Sequence, residues 1–286
     1  MDGDESVARE IVRYGAYVCL RRSNGRDARA VAAAAVPALA ERLQLQNEFS
    51  PGAPPPRDSI AFLRRHATTP GDIADDDVLE ADWIVHIASK SPEPVAEFCA
   101  ETSRLLGDAV RLRILSGVVR PLNYTGAAMR NFAYARAIVQ QPGTVMPNAF
   151  LIPLSKTAAW WAKDWMERHT YFLPRYDEDG RMISQGHALA AAAGIPCLLR
   201  RTYRNPTEPA PDGAYDFLTY FECSDADIPT FHQVCAGLRD VQRNPEWKFV
   251  REGPTWHGRR VASWRELFED HAACVRGRHD IYPSEY

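Results

Sequence analysis

Residues 185–222 read QGHALAAAAGIP (185–196), CLLRRTYR (197–204), NPTEPAPDG (205–213) and, after Ala214, YDFLTYFE (215–222). Alanine is the best helix former, so the first segment predicts a short helix that carries His187. The β-branched and aromatic residues of the second and fourth segments predict strands, and the prolines between them predict a loop. This part of the chain therefore predicts a helix followed by two strands.

The rest of the chain uses the same elements in two halves, 1–140 and 141–286, each roughly strand, helix, strand, strand, helix, strand. We predict strands over 11–20, 81–89, 109–122, 148–156, 197–204, 215–222 and 247–252, helices over 28–46 (interrupted by Pro37), 91–107, 157–169, 185–196, 225–240 and 263–275, and a proline-rich excursion over 49–58. A four-stranded sheet with helices on one face leaves its other face unprotected, and pairing two such sheets hides both. We therefore predict an α+β protein in which two ferredoxin-like halves form one α/β barrel.

The composition excludes several classes of protein. A formal net charge of -3 over 286 residues gives no electrostatic reason to expect nucleic acid or an anionic membrane as partner. No run approaches the ~18 apolar residues that a spanning helix needs, and the acidic N-terminal residues do not resemble a signal peptide. The six cysteines lack CxxC pairs, which favours reduced thiols over disulfides or a zinc site. We expect a cytoplasmic protein.

His187 is the residue of greatest chemical interest. A neutral imidazole can bind a metal near neutral pH, and the small residues that follow (Ala188, Ala190–Ala193, Gly194) would let a flat macrocycle approach the helix closely. An arginine, Arg200, follows thirteen residues later on the predicted strand. An axial ligand on one side of a bound group and a cation on the other suggest haem. The alternative is a histidine that caps a helix or is partly buried.

Two pairs of neighbouring residues offer further candidates. Arg200 and Arg201 occupy consecutive strand positions, so their side chains should point to opposite faces of the sheet. Trp160 and Trp161 follow Lys156 at a strand-to-helix junction, where one indole can pack in the core while the other lines a pocket or an interface. Exposed arginines, an exposed lysine and ordinary aromatic packing are the alternatives.

Together these residues resemble the chlorite dismutase family. The resemblance rests on NAFLIPLSKTAAWW (148–161), on His187 with Arg200, and on RRTYR (200–204) and DFLTYFE (216–222). It covers most of residues 146–258 and, more loosely, 78–120. It implies bound haem b, with His187 as the proximal iron ligand, Arg200 as the distal catalytic arginine, Lys156 as a propionate partner and Trp160 with Trp161 as the aromatic pair near the haem. The implied reaction converts chlorite to chloride and dioxygen.

The sequence departs from the family pattern at several points. The loop 205–213 is longer than the family's turn, and the interval between the tryptophan pair and His187 is longer as well. A second histidine, His169, lies in that interval, although only His187 keeps the spacing to Arg200. The family's acidic partner of the proximal imidazole has no clear equivalent, and Glu246 is a weak candidate.

These departures leave the function open between three readings. The first is a chlorite dismutase-type enzyme, and the second is a haem-dependent peroxidase, decarboxylase or biosynthetic enzyme that acts on an organic molecule. The third is a protein without turnover, which either binds or carries haem or has lost haem and keeps the barrel as an interaction module. In each enzymatic reading the substrate is a small molecule (an oxyanion, a peroxide or a small organic compound), and we expect a homo-oligomer.

Overall fold

The computed structural model describes residues 13–23, 28–47, 58–66, 78–119, 132, 136, 138 and 146–269. Almost all of the predicted excursion over 49–58 and the boundary between the predicted halves at 140 lie outside the described residues. Among the residues that are described, no helix has the length and apolar character needed to cross a membrane.

The described chain contains both helices and strands. The strands are β1 Tyr14–Arg22, β2 Gln46–Asn47, β3 Ser59–Arg65, β4 Trp83–Ser89, β5 Val110–Val119, β6 Asn148–Lys156, β7 Arg175–Tyr176, β8 Met182–Ser184, β9 Leu199–Arg204, β10 Phe217–Cys223, β11 Val250–Glu252 and β12 Trp256–Val261. The α-helices are α1 Ala28–Arg42, α2 Pro92–Leu106, α3 Ala158–Trp161, α4 Trp165–Thr170, α5 Gly186–Ala190, α6 Ile228–Arg239 and α7 Trp264–Phe268. Short 3-10 helices cover Gly107–Ala109, Ala192–Gly194, Asp225–Asp227 and Pro245–Phe249.

Eight strands close into a barrel. They pair in the order β10, β9, β5, β1, β4, β3, β12, β6, and β6 pairs again with β10. Every pairing in this ring is antiparallel. A closed ring leaves no unpaired sheet edge, which removes the usual route to edge-to-edge aggregation. The prediction of an α+β protein built as an α/β barrel is confirmed.

The strands alternate between the barrel interior and the helix layer. Along β1, Ala16, Val18 and Leu20 pack against α1 and α2, whereas Tyr17 and Cys19 point into the barrel. All eight ring strands contribute to the interior, which holds Leu63, Ile84, Leu115, Leu151, Tyr203, Tyr220 and Trp256 among others. Helix α7 returns to the N-terminal half, where Leu267 and Phe268 join the core under α1. Helix α7, from the C-terminal part of the chain, therefore contributes to the core of the N-terminal half.

A pair of glycines makes room for Tyr203 at the seam between the halves. Gly15 and Gly117 face each other across β1 and β5. A Cβ atom on Gly15 would lie 2.5 Å from the ring of Tyr203, and one on Gly117 would lie 2.6 Å from the carbonyl oxygen of Arg204. Only glycine permits so close an approach, because any other residue carries the Cβ.

Helix α1 differs from its prediction at Pro37. The helix continues through this residue to Arg42 although proline lacks the N–H group that the helix ladder needs. Val36, Leu39 and Ala40 on either side of the proline are at most 3% exposed and pack into the core. Tertiary packing outweighs the local preference here.

Candidate functional site

A cavity of about 340 Å³ lies between the C-terminal strands and the helices that cover them. One wall is the outer face of β6, β10 and β9, and it presents Ile152, Leu154, Phe217, Thr219, Phe221, Arg200 and Thr202. The opposite wall comes from α5, the 3-10 turn after it and α6, and it presents His187, Ala188, Ala191, Gly194, Ile195, Leu198, Val234, Cys235 and Leu238. The cavity thus separates His187 on the helix wall from Arg200 on the sheet wall.

Backbone geometry places His187 at the cavity. Helix α5 starts at Gly186, whose φ of +63° is unfavourable for residues with a side chain. A Cβ on Gly186 would lie 2.3 Å from the carbonyl oxygen of Leu173, so only glycine fits at this position. The N–H of His187 then donates to the carbonyl of Tyr171 at 3.2 Å. These contacts fix the start of a helix whose first full turn carries the imidazole.

His187 belongs to a triad built around a buried carboxylate, that of Glu246. Its Nδ1 lies 2.9 Å from Oε2 of Glu246, and Oε1 of the same carboxylate accepts from Nζ of Lys156 at 2.5 Å. Glu246 is 4% exposed. Burial alone would raise the pKa of Glu246, but the nearby Lys156 ammonium and His187 ring outweigh it and hold that pKa well below its usual range. The carboxylate is therefore charged.

The triad determines which nitrogen of His187 is available. An ionised carboxylate can only accept hydrogen bonds, so in the neutral form of the His187 ring Nδ1 carries the proton and Nε2 keeps its lone pair. This is the usual arrangement of a histidine that ligates a metal, in which a carboxylate orients the ring and increases its basicity. The chemistry of the donor set therefore fits a single imidazole ligand.

Cys235 is another cavity residue with metal-ligating chemistry. Burial is the main reason that its pKa is raised to about 11, with Arg239 opposing and Glu252 adding to the shift. The group is thus a neutral thiol near pH 7, and the thiolate is the form that binds metals. His187 is the better ligand of the two.

The two arginines diverge as predicted from strand alternation. Arg200 shares the cavity-facing side of the sheet with Phe221, its partner on β10. The guanidinium of Arg201 reaches the barrel interior, where Nη1 lies 3.2 Å from Nδ1 of His86, although part of Arg201 also borders the cavity. Nε2 of His86 lies 2.9 Å from the hydroxyl of Tyr203. Arg200 is thus the arginine on the same side as His187.

Trp160, Trp161 and Lys156 do not all take the positions that the resemblance implies. Trp160 is 3% exposed and lines the cavity. Trp161 instead packs toward Phe217, with ring centroids 6.4 Å apart, and is not among the described residues that form the cavity walls. Lys156 also lines the cavity, but its ammonium lies against Glu246 and 4.3 Å from the centroid of the Trp160 ring. The structure therefore places Lys156 in the His187 triad, which differs from the propionate contact implied by the resemblance.

His169, the other candidate for the iron ligand, lies away from this group of residues. His169 is in α4, and within the described part of the chain it is not one of the residues lining the cavity. The structure thus brings together His187, Arg200, Lys156 and Trp160 and leaves His169 and Trp161 outside.

Sequence reasoning underrated or missed several polar residues of the cavity. Glu246 was a weak candidate, because it is separated from His187 and Lys156 by 59 and 90 residues and no local pattern marks it. Thr202 and Thr219 are paired across β9 and β10 and went unnoticed among residues typical of strands. An ion pair between Arg239 and Glu252, with contacts of 2.8 and 2.6 Å, also lines the cavity.

Comparisons with known proteins identify the fold. No family model matches the chain, and no curated protein is significantly similar to it in sequence. A doubly substituted chlorite dismutase from Candidatus Nitrospira defluvii has a similar structure, with a TM-score of 0.62 and 19% identity over 90% of this chain and 94% of that one. The same organism's chlorite dismutase in complex with imidazole gives 0.62 and 20% over 90% and 93%. A variant of it in complex with cyanide gives 0.61 and 19% over 90% and 93%.

The chain therefore has the chlorite dismutase fold over most of its length, as the resemblance of its C-terminal half predicted. TM-scores of 0.62 at identities of 19–20% establish the fold alone, and the role of the cavity has to be argued from its own residues.

Proposed function

We propose that this protein binds haem b in the cavity, with His187 as the proximal ligand, and acts as a haem-dependent oxidoreductase of chlorite dismutase type. The observation that carries the proposal is the hydrogen bond between Nδ1 of His187 and the buried carboxylate of Glu246. It would leave the lone pair of Nε2 available to a metal in a cavity that Arg200 also lines.

The cavity residues fit a flat and largely apolar prosthetic group. The helix wall beside His187 is built from Ala188, Ala191 and Gly194, which allow close approach, and the sheet wall offers Ile152, Phe217 and Phe221. Pockets of this kind, apolar with a few converging polar groups, are typical of cofactor sites. When bound, haem would supply an iron with an open coordination position and accessible oxidation states.

The chain's own residues would perform three tasks. Glu246 would hold the His187 ring in one orientation and increase its basicity, and Lys156 would keep that carboxylate ionised. Arg200 would attract a small anion into the cavity and hold it there as a fixed positive charge, which acts more strongly in an apolar pocket than in water. The apolar walls would exclude water.

We propose chlorite as the substrate. One chlorite ion balances one chloride ion and one dioxygen molecule, so no external reductant is required. The solved relatives bind imidazole and cyanide, which supports a cavity that accepts small ligands. We further propose a cytoplasmic homo-oligomer, and light scattering of the purified protein would test the assembly.

The test combines a spectrum with an oxygen electrode. We expect protein supplied with haem to show a Soret band that is lost in His187→Ala and kept in His169→Ala. Chlorite should then release dioxygen promptly, and Arg200→Ala should strongly reduce that release while haem affinity stays nearly the same. A Soret band without dioxygen would point to an organic substrate or to haem binding without turnover. Absence of the band would refute haem binding itself.

A further inference from the structure

Most of the exposed large apolar side chains lie in one short segment of the chain. Within the described residues there are six of them, of which the sixth, Leu105, lies in α2 and the other five form what we call the apolar patch: Trp165, Met166, Tyr176, Met182 and Ile183. Trp165 is 71% exposed. Single exposed apolar residues are common on soluble proteins, but a group of them marks an interaction site.

Three residues of the patch belong to the hairpin of β7 and β8. Among the described strands, these two pair only with each other. Residues 175–183 are all exposed, and Ser184 at the end of β8 is buried. A two-stranded hairpin that packs on nothing is marginally stable in water, and its unpaired edges are templates for a further strand. The hairpin is therefore built like an element that another chain covers.

The base of the hairpin is held by the helix that carries His187. The chain enters the hairpin through Tyr171 and Phe172, whose carbonyl groups accept from the N–H groups of His187 and Ala188 at 3.2 and 3.1 Å. The same two residues directly follow α4, a helix only about 9 Å long that carries the rest of the patch. Helix and hairpin thus adjoin one point, the start of α5. A surface fixed in this way loses little conformational entropy when it binds.

The outer edge of β7 is complementary to itself. The N–H of Asp177 donates to the carbonyl of Arg181 at 2.9 Å, so the alternation of an antiparallel ladder directs the N–H and C=O of Tyr176 away from β8. If two copies of this edge pair antiparallel about a two-fold axis at Tyr176, each Arg175 lies opposite Asp177 of the partner subunit. Opposite charges meet twice in such a pair. This pattern favours a second copy of the chain over a partner of strong net charge.

We propose that β7 strands of two copies pair edge to edge, centred on Tyr176, and bring the apolar patches of two subunits together. The inference rests on the proposed homo-oligomer, whose contact surface it names, and is independent of the haem chemistry. The backbone hydrogen bonds and the two ion pairs fix the register, and the apolar side chains supply most of the affinity. The longer interval between the tryptophan pair and His187, a departure from the family pattern, thereby gains a role.

Sedimentation velocity of the full chain over a range of concentrations tests this contact. Tyr176→Lys places two ammonium groups opposite each other, and Arg175→Glu places a carboxylate opposite Asp177. Each should weaken association more than about tenfold, because like charges that face each other across an interface are strongly unfavourable. Leu105→Lys introduces the same charge at the exposed apolar residue outside the patch and should leave association unchanged. Circular dichroism spectra that match the wild type verify that the variants fold.

A cysteine cross-link tests the register. Hydrogen-bonded residues that face each other in antiparallel strands have Cα atoms about 5.5 Å apart, which a disulfide can span. Tyr176→Cys should therefore give a disulfide-linked dimer on mild oxidation. Glu178→Cys is the matched control, since its two copies would lie about 13 Å apart along the strands and should not cross-link. The wild type, with its own cysteines, is oxidised in parallel and should not cross-link either.

The outcomes separate this inference from the other proposals. A wild-type protein that stays monomeric would overturn it together with the proposed homo-oligomer. An oligomer that neither charge variant weakens would overturn this inference alone, and so would weakened association without a disulfide in Tyr176→Cys. None of these measurements needs haem, so a missing Soret band would refute the proposed haem binding and leave this contact standing.

Discussion

Nδ1 of His187 lies 2.9 Å from Oε2 of Glu246, and the two residues come from different structural elements. His187 is in the short helix α5, and Glu246 is in the 3-10 turn Pro245–Phe249. The second carboxylate oxygen is held by Lys156 at the end of β6. One buried carboxylate therefore joins the sheet, the helix and the turn at the cavity.

The first prediction concerns this carboxylate. Glu246→Gln removes the charge that orients and polarises the imidazole, and we expect haem affinity to fall about 10- to 100-fold, as is typical of such outer contacts. Glu252→Gln is the matched control, because Glu252 also lines the cavity but pairs with Arg239. Haem titration followed at the Soret band measures both. Equal losses in the two variants would show that the His187 contact has no special role.

The second prediction concerns stability. Lys156→Met leaves Glu246 as a buried charge without its ammonium partner, which typically destabilises a protein by about 3–5 kcal/mol. Lys163→Met removes a lysine from an i,i+4 pair with Glu167, whose carboxylate is largely exposed, and should change stability much less. Urea unfolding of the haem-free proteins measures the difference. If the two losses were alike, the Lys156–Glu246 pair would not be an important contact of the fold.

The third prediction uses two glycines with positive φ. Gly186 has a φ of +63° and Gly180 a φ of +77°, so alanine would strain either backbone by about 1–2 kcal/mol. Only at Gly186 would the new Cβ meet a backbone atom, the Leu173 carbonyl oxygen at 2.3 Å, whereas nothing lies within 4 Å at Gly180. Gly186→Ala should therefore lose clearly more stability than Gly180→Ala and should also weaken haem binding. Similar unfolding midpoints for the two variants would contradict the close passage at Gly186.

The fourth prediction concerns pH. His257 stacks between His66 and Phe150, with centroid distances of 4.8 and 4.3 Å. Burial, followed by the charges of His66, Arg259 and His232, lowers its pKa from 6.5 to about 4. Between these two values the unfolded chain binds a proton that the folded chain does not, so stability falls as the pH drops.

The expected loss attributable to His257 is at most about 2 kcal/mol between about pH 7 and pH 5, because solvent screens the partly exposed ring. His257→Phe keeps the stacked ring and removes the proton-binding group, so that part of the pH dependence should disappear. Urea unfolding at the two pH values, with His169→Gln as a control, tests this. A variant that loses as much stability as the wild type on acidification would assign the effect to other groups.

The fold could be predicted largely from local patterns. The bounds of β6, Asn148–Lys156, agree with the prediction from sequence because a strand of apolar residues followed by Thr157 leaves little choice. The alternation of Arg200 and Arg201 followed from strand geometry alone. The helix carrying His187 was predicted to be too long, since alanine propensity extends to Ala193 whereas α5 ends at Ala190.

The chain is tightly packed where the predicted helix would have continued. A Cβ on Gly194 would lie 2.6 Å from the side chain of Leu198 and 3.1 Å from that of Val234, so the chain there is packed tightly under α6. Glu246 and the positions of Lys156 and Trp161 were also beyond local patterns. Their positions depend on contacts between residues far apart in the chain, and such contacts cannot be predicted from the spacing of residues in the sequence.

The helix layer that covers the sheet differs between the two halves of the barrel. In the N-terminal half, α1 runs from Ala28 to Arg42 and fills the outer face of its sheet with Ala32, Val36 and Leu39. In the C-terminal half, α5 spans only Gly186–Ala190, and a cavity lies between this short helix and the sheet. The helix layer of the C-terminal half is therefore hollow where that of the N-terminal half is solid. An insertion that lengthened α5 into the cavity would be expected to abolish the proposed haem binding while leaving the barrel intact.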